Sequence, residues 1–138
     1  MTPTLLIIDD HQLLRDMWSK ILQDSGKVQV IKYPGRLAEA MEIVRIEKPG
    51  VILLDVYMAP TTGFDLLPVI KSYSPQTQVI GFSVHANAAY AKQMLQLGAS
   101  GYITKHSDLQ TVLTAIDEVC NGRQYLTPDV KEIVDSVG

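Results

Sequence analysis

Short apolar runs alternate with longer amphipathic stretches along most of the chain, and this alternation constrains the fold more than any other feature of the sequence. Five runs predict β-strands because they are brief, apolar and bounded by turn residues, namely residues 4–8, 28–33, 51–54, 78–82 and 101–104. After each run, apolar residues recur at helical spacing, most clearly from Leu109 to Cys120, a helix whose expected N-cap is Ser107. The pattern predicts an α/β protein in which every strand is followed by a helix.

A sheet made of such strand–helix units is parallel and has helices on both faces. The prediction is therefore a doubly wound, five-stranded parallel sheet, with its functional site at the carboxyl ends of the strands. Residues 1–122 are assigned to this domain, and residues 123–138 to a C-terminal tail with room for one short helical turn.

Composition excludes several classes of protein. A chain of 138 residues suits one domain with a single core, and a net charge of −3 provides no broad basic surface for nucleic-acid phosphates. The single cysteine, Cys120, cannot form an intramolecular disulfide and is expected to pack on the last helix. Because no apolar run is long enough for a signal peptide or a membrane span, we expect a cytoplasmic protein without membrane contact.

Polar side chains follow the predicted strands where the strands end: Asp9 and Asp10, Asp55, Ser83 and Lys105. In a parallel sheet these positions meet at one edge. Three neighbouring carboxylates repel one another, and Mg²⁺ relieves the repulsion while leaving room for a phosphate oxygen. The set therefore favours a phosphoryl site in which one carboxylate is available as the nucleophile.

Each of these residues also has an ordinary structural interpretation. Asp9 and Asp10 could cap the first helix, and Lys105 or Ser83 alone could be a solvated surface residue. The combined set outweighs these interpretations. His11 is interpreted as a residue at the rim of the site, in preference to a ligand or a base.

The runs IIDDHQLLRDMW and GASGYITKHSDLQTVLTAIDEVCNGRQYLTP resemble receiver domains of two-component response regulators, in particular those of the NarL/LuxR type. The resemblance extends over about residues 4–122. It implies a flavodoxin-like (βα)5 fold with strand order 2-1-3-4-5, and Mg²⁺ as the cofactor.

The resemblance also implies roles for individual residues. Asp55 corresponds to the phosphoacceptor, and Lys105 to the lysine that pairs with a phosphoryl oxygen. Asp10 corresponds to a direct Mg²⁺ ligand, Asp9 to a ligand that binds directly or through water, and the backbone carbonyl of Tyr57 to a further ligand.

Two further roles concern switching and the lifetime of the phosphorylated form. The Ser83 hydroxyl is expected to hydrogen-bond the phosphoryl group and draw its loop inward, after which the Tyr102 ring turns inward. Tyr57, Val84 and His85 stand where members of the family tune water attack on the acyl phosphate. Our hypothesis is that the Tyr57 side chain shields the phosphoryl group.

The expected function is phosphorylation-dependent signalling, without a turnover substrate. The expected partners are a sensor histidine kinase or phosphotransfer protein and a second copy of the chain. DNA contact is expected only through a helix-turn-helix output domain outside these residues, with residues 123–138 starting its linker. The chain is interpreted as a truncated transcription regulator, with a stand-alone receiver as the alternative.

Three other functions stay open as alternatives. One is a Mg²⁺-dependent phosphohydrolase of the haloacid dehalogenase type, which needs a second acid where Tyr57 stands, two residues after Asp55. Another is a flavodoxin-like flavin carrier, which the anionic run DDHQLL disfavours. The third is a receiver-shaped binding module that is never phosphorylated.

Overall fold

A computed structural model describes residues 2–33, 35–58 and 60–137, with the side chains of residues 133–137 outside the description. The predicted alternation of strands and helices is confirmed. The strands are β1 (Thr4–Ile8), β2 (Gln29–Ile31), β3 (Val51–Asp55), β4 (Gln78–Ser83), β5 (Gly101–Thr104) and β6 (Tyr125–Leu126). The helices are α1 (Gln12–Asp24), α2 (Leu37–Glu47), α3 (Gly63–Tyr73), α4 (Ala88–Gln96), α5 (Leu109–Cys120) and α6 (Pro128–Val137).

All neighbouring strands pair in parallel, in the order β2-β1-β3-β4-β5-β6. The predicted order of the first five strands is confirmed. The register aligns Ile8 with Leu54 and Asp55 with Phe82, which brings the carboxyl ends of β1, β3 and β4 to one edge. The strand order reverses at β1 and β3, so the crevice expected in a doubly wound sheet opens beside the ends of these two strands.

The sixth strand corrects the prediction of a five-stranded sheet. Within residues 123–137, β6 pairs with β5, and the Thr127 backbone N–H donates to the Tyr102 carbonyl at 3.2 Å. Helix α6 follows and packs against α4, with Val130 fully buried. A strand of two residues has no recognisable periodicity, so the sequence pattern contained no sign of β6. The prediction of one short helical turn in this tail is wrong, because α6 extends over ten residues.

Alternate side chains of the strands enter two core layers. Leu6 and Ile8 lie in the layer under α2, α3 and α4, whereas Leu5 and Ile7 lie in the layer under α1 and α5. Trp18 of α1 is 5% exposed and contacts Phe82 edge-on, with ring centroids 5.9 Å apart. The burial of strand residues on both faces is the arrangement expected of a parallel sheet.

Two local predictions for the last part of the chain are wrong. Cys120 is exposed at the end of α5 instead of packed in the core, because the helix ends there and the residue lies beyond its buried face. The N-cap of α5 is Asp108, whose carboxylate accepts from the Thr111 backbone N–H at 2.8 Å, and not Ser107.

Gly63 is the residue that allows α3 to begin directly against the backbone of Asp55. A Cβ atom at position 63 would lie 2.4 Å from the Asp55 carbonyl oxygen, and the Gly63 N–H donates to the Val56 carbonyl at 2.8 Å. We expect Gly63→Ala to lower the free energy of unfolding by about 2 to 3 kcal/mol, because backbone atoms must shift. Urea denaturation measures the change, and a loss within roughly 0.5 kcal/mol would contradict this close approach.

Candidate functional site

Three charged side chains from different strand ends meet in a buried cluster. Lys105 Nζ lies 2.7 Å from Asp9 Oδ2 and 3.2 Å from Asp55 Oδ1. The side chains of Lys105, Asp9 and Asp55 are 6%, 0% and 5% exposed, respectively. The convergence predicted for these three residues is therefore present, and one ammonium group faces two buried carboxylates.

The excess of negative charge in this cluster perturbs the pKa of Asp55, at the end of β3. Burial, together with the nearby Asp9 carboxylate, raises the pKa of Asp55 to about 6 from 3.8. Lys105 and the Tyr57 backbone N–H, which donates to Asp55 Oδ1 at 3.3 Å, act in the opposite direction. Desolvation and carboxylate repulsion thus outweigh the single ammonium, and added positive charge would favour ionised Asp55.

Asp10 and His11 lie at the open side of this cluster. Asp10 is partly exposed, and His11 Nδ1 is 3.2 Å from Asp10 Oδ1 and 3.2 Å from Asp9 Oδ1. The His11 backbone N–H also donates to Asp9 Oδ1 at 2.9 Å. His11 is 70% exposed, as expected at a rim, but its ring contacts the acidic pair directly.

The acidic cluster has the composition and spacing of a divalent-cation site. One potential ligand atom from each of Asp9, Asp10, His11 and Asp55 lies within 4.8 Å of the others. Among the described residues, buried Asp55 Oδ2 has no hydrogen-bond partner. An unpaired buried carboxylate oxygen is costly, and a cation ligated there would satisfy it. The residues present therefore fit a metal ion held mainly by oxygen atoms.

Ser83 and Tyr102 are connected through the backbone of the loop after β4. Ser83 is buried, and its Oγ accepts from the His85 N–H at 3.1 Å. The Tyr102 hydroxyl donates to the His85 carbonyl at 2.8 Å, and its ring is fully buried. Both predicted switch residues thus contact the same loop residue. Val84 is half exposed and the His85 side chain is exposed.

Tyr57 belongs to an aromatic cluster beside the loop that follows Asp55. Its ring centroid is 5.1 Å from that of Tyr90 on α4 and 6.1 Å from that of Phe64 on α3. The ring is half exposed, so it lies at the surface beside the loop that follows Asp55. The orientation of the Tyr57 carbonyl toward a metal ion stays a prediction.

Two residues that hold the end of β1 in place, Arg15 and Tyr33, were not predicted from the sequence. Buried Arg15 donates from Nη1 to the Asp9 carbonyl at 2.7 Å, and its guanidinium lies 4.7 Å from the Tyr33 ring centroid. Arg15 shares the buried face of α1 with Trp18 and Leu22, so an arginine at apolar spacing was the available signal. Tyr33 follows β2 and carried no comparable signal.

Comparison with known proteins identifies the family. The family described as "Response regulator receiver domain" matches residues 5–117. The transcriptional regulatory protein DegU of Brevibacillus brevis is 32% identical over 126 residues, which cover 91% of this chain and 53% of that protein. The response regulator GacA of Pseudomonas aeruginosa is 28% identical over 128 residues, covering 93% of this chain and 60% of that protein. The chain thus spans little more than half the length of these relatives.

Solved structures agree with this assignment. The NarL signal receiver domain of Mycobacterium tuberculosis is 31% identical and has a TM-score of 0.79, covering 88% of this chain and 98% of that one. A LuxR-family two-component response regulator from Aurantimonas sp. SI85-9A1 shares the fold with a TM-score of 0.91 at 23% identity, covering 99% and 98% of the two chains.

The chain belongs to the response regulator receiver domain family, and its relatives include NarL/LuxR-type regulators. It is thus a receiver domain of the kind found in two-component systems. No helix in the described part of the chain is long and apolar enough to span a membrane.

Proposed function

We propose that Asp55 accepts a phosphoryl group from the phosphohistidine of a sensor kinase or phosphotransfer protein. The observation that carries this proposal is the environment of the Asp55 carboxylate. Oδ1 is paired with Lys105, while Oδ2 is buried and has no hydrogen-bond partner among the described residues. One Asp55 oxygen would attack phosphorus while the other serves as a cation ligand.

The transfer exchanges one bond at phosphorus for another. A bond forms between a carboxylate oxygen of Asp55 and phosphorus as the bond to the donor imidazole nitrogen breaks, and the electron pair stays on that nitrogen. Lys105, 3.2 Å from Asp55 Oδ1, lies where its ammonium can pair with an oxygen of the incoming phosphoryl group. Its charge opposes the negative charge that spreads over these oxygens during transfer.

Asp9, Asp10 and Asp55, with the Tyr57 carbonyl, would hold Mg²⁺ in this site. When bound, the ion supplies the positive charge that Lys105 alone cannot provide to the carboxylates and the phosphoryl oxygens. Asp10 provides the accessible carboxylate, whereas Asp9 is already paired with Lys105. This contrast supports Asp10 as the direct ligand and Asp9 as a direct or water-mediated one.

Phosphorylation would act as a signal, and not as a step in the turnover of a substrate. We propose that the phosphoryl group bonds the Ser83 hydroxyl and stabilises the buried position of the Tyr102 ring through their common contact with His85. The output is transcription control through a DNA-binding domain outside these residues, as the names of the relatives support. We further propose that the protein acts in the cytoplasm. A second copy of the chain is proposed as an additional partner.

Tyr57 is expected to protect the acyl phosphate from water. Tyr57→Ala removes the ring beside the loop that follows Asp55. Dephosphorylation should become about tenfold faster, because water reaches phosphorus more easily. The rate is measured by intact mass after the phosphodonor is removed. Tyr73→Ala, a change at another partly exposed tyrosine at the far end of α3, is the control. An unchanged rate in Tyr57→Ala would refute the shielding role.

Incubation with Mg²⁺ and acetyl phosphate tests the proposed function. Wild-type protein should gain the mass of one phosphoryl group, while Asp55→Asn should gain none. Sustained phosphate release without an adduct would favour a hydrolase, and no response to either acetyl phosphate or beryllofluoride would favour an unphosphorylated binding module.

A further inference from the structure

The Tyr102 ring packs against β4 at Gly81, a position that carries no side chain. A Cβ atom at Gly81 would lie 3.0 Å from Tyr102 Cδ2 and 3.3 Å from Met94 Cε. The absence of a side chain at position 81 therefore lets the ring approach the backbone of β4 beside Met94 of α4. Fully buried, the ring reaches the loop after β4, where its hydroxyl donates to the His85 carbonyl.

The β6–α6 segment, residues 125–137, covers the edge of the sheet next to this ring. Its Thr127 N–H donates to the carbonyl of Tyr102 itself, and the Lys131 N–H donates to the Thr127 carbonyl as α6 begins. Val130 is fully buried in the same cluster as Tyr102 and Met94. The edge of β5 and the adjoining side of α4 are therefore occupied by the chain's own C-terminal segment.

We propose that Val130 and the β6–α6 segment are positioning elements that hold Tyr102 in its buried position and so favour phosphorylation of Asp55. Val130 and Leu126 belong to the core layer that holds the ring, so undocking of the segment would open that layer at the β5 edge. In the proposed function, a phosphoryl group that bonds Ser83 would act on the same buried ring through His85, whose backbone both residues contact. Docking of the segment and occupation of the phosphoryl site are thus positively coupled. This inference rests on the proposed function of Asp55 and Ser83.

Beryllofluoride binding in the presence of Mg²⁺ tests the coupling. Val130→Ala removes buried contacts of α6 and should weaken beryllofluoride binding by about fivefold, a typical size for coupling between sites. By reciprocity, beryllofluoride should slow hydrogen exchange of the Thr127 amide in wild type by a similar factor. Calorimetry gives the affinity, and exchange measured by mass spectrometry gives the protection.

Val112→Ala is the matched control for loss of core packing. Val112 is also fully buried, but it lies on α5 in the other core layer. The control should lose stability while its beryllofluoride affinity stays as in wild type. In a Tyr102→Ala background, Val130→Ala should no longer change the affinity, because the ring it positions is gone.

The possible results separate this inference from the function on which it rests. Equal affinities of Val130→Ala and wild type, equal losses in Val130→Ala and Val112→Ala, or unchanged exchange at Thr127 would each overturn the coupling. In all three cases wild type still binds beryllofluoride and Asp55 remains the acceptor. Failure of the wild-type protein to bind beryllofluoride and to gain an acetyl phosphate adduct would instead overturn the proposed function.

Discussion

Replacing Lys105 with Met is expected to slow phosphorylation of Asp55 by acetyl phosphate about 100-fold, the effect of losing one preorganised charge at a reaction centre. The same change should tighten Mg²⁺ binding by about tenfold, because the ammonium competes with the ion for the carboxylates of Asp9 and Asp55. The opposite signs of the two effects follow from the position of Lys105 between the two acids.

Rates come from the time course of the mass increase at saturating Mg²⁺, and Mg²⁺ affinities come from calorimetry. Lys20→Met removes the same charge from an exposed position on α1 and should change neither quantity by more than about twofold. A Lys105→Met variant with weakened Mg²⁺ binding would contradict competition between the ammonium and the ion. An unchanged rate would contradict its role at the phosphoryl oxygens.

Asp55→Asn is expected to stabilise the metal-free protein near neutral pH, by about 1 to 3 kcal/mol. The pKa of Asp55 in the folded protein is about 6, above the ordinary value of 3.8 that applies in the unfolded chain. Folding therefore favours the protonated acid, and the ionised acid reduces stability at higher pH. As the pH falls through about 6 toward 4, the folded protein takes up the proton first and this penalty disappears.

Urea denaturation in EDTA at several pH values measures the effect. The stability advantage of Asp55→Asn over wild type should be largest above about pH 7 and should shrink as the pH falls toward about 4.5. Saturating Mg²⁺ should also reduce the advantage, because an ion that binds the folded protein adds to wild-type stability. Asp16→Asn, an exposed change on α1, is the control. A destabilised Asp55→Asn at neutral pH would contradict the electrostatic imbalance.

Sequence patterns predicted the fold where they carried a clear physical signal. Apolar strands followed by amphipathic helices indicated the parallel sheet, and the sheet then explained why Asp9, Asp55 and Lys105 meet although long segments separate them. The distances from the Lys105 ammonium to the carboxylates of Asp9 and Asp55, 2.7 and 3.2 Å, confirm that convergence. The expected roles of Ser83 and Tyr102 remain predictions, although both residues contact the loop residue His85.

The sequence was a weaker guide where the decisive contact is made by the backbone or by a single side chain. Strand β6 has two residues, which are too few for a recognisable period. Helix α6 does repeat apolar residues at helical spacing, at Val130, Ile133, Val134 and Val137, and the prediction of one short helical turn undervalued that signal.

The side chains of Arg15 and Tyr33 donate to the backbone carbonyl of Asp9. Every residue has such a carbonyl, so the sequence does not show which one these side chains will bind. Cys120 has the helical spacing of the buried residues of α5 and was therefore predicted to be buried. The helix ends at this residue, and the side chain is exposed.

Locating the phosphoryl group within the chain tests the central claim most directly. After incubation with Mg²⁺ and acetyl phosphate, borohydride reduces an aspartyl phosphate to homoserine, which peptide mass spectrometry identifies by position. The account predicts conversion at residue 55 alone, abolished by prior treatment with hydroxylamine, which cleaves acyl phosphates. Conversion at Asp9 or Asp10, or a hydroxylamine-resistant phosphate on Ser83, would contradict the assignment of Asp55 as the acceptor.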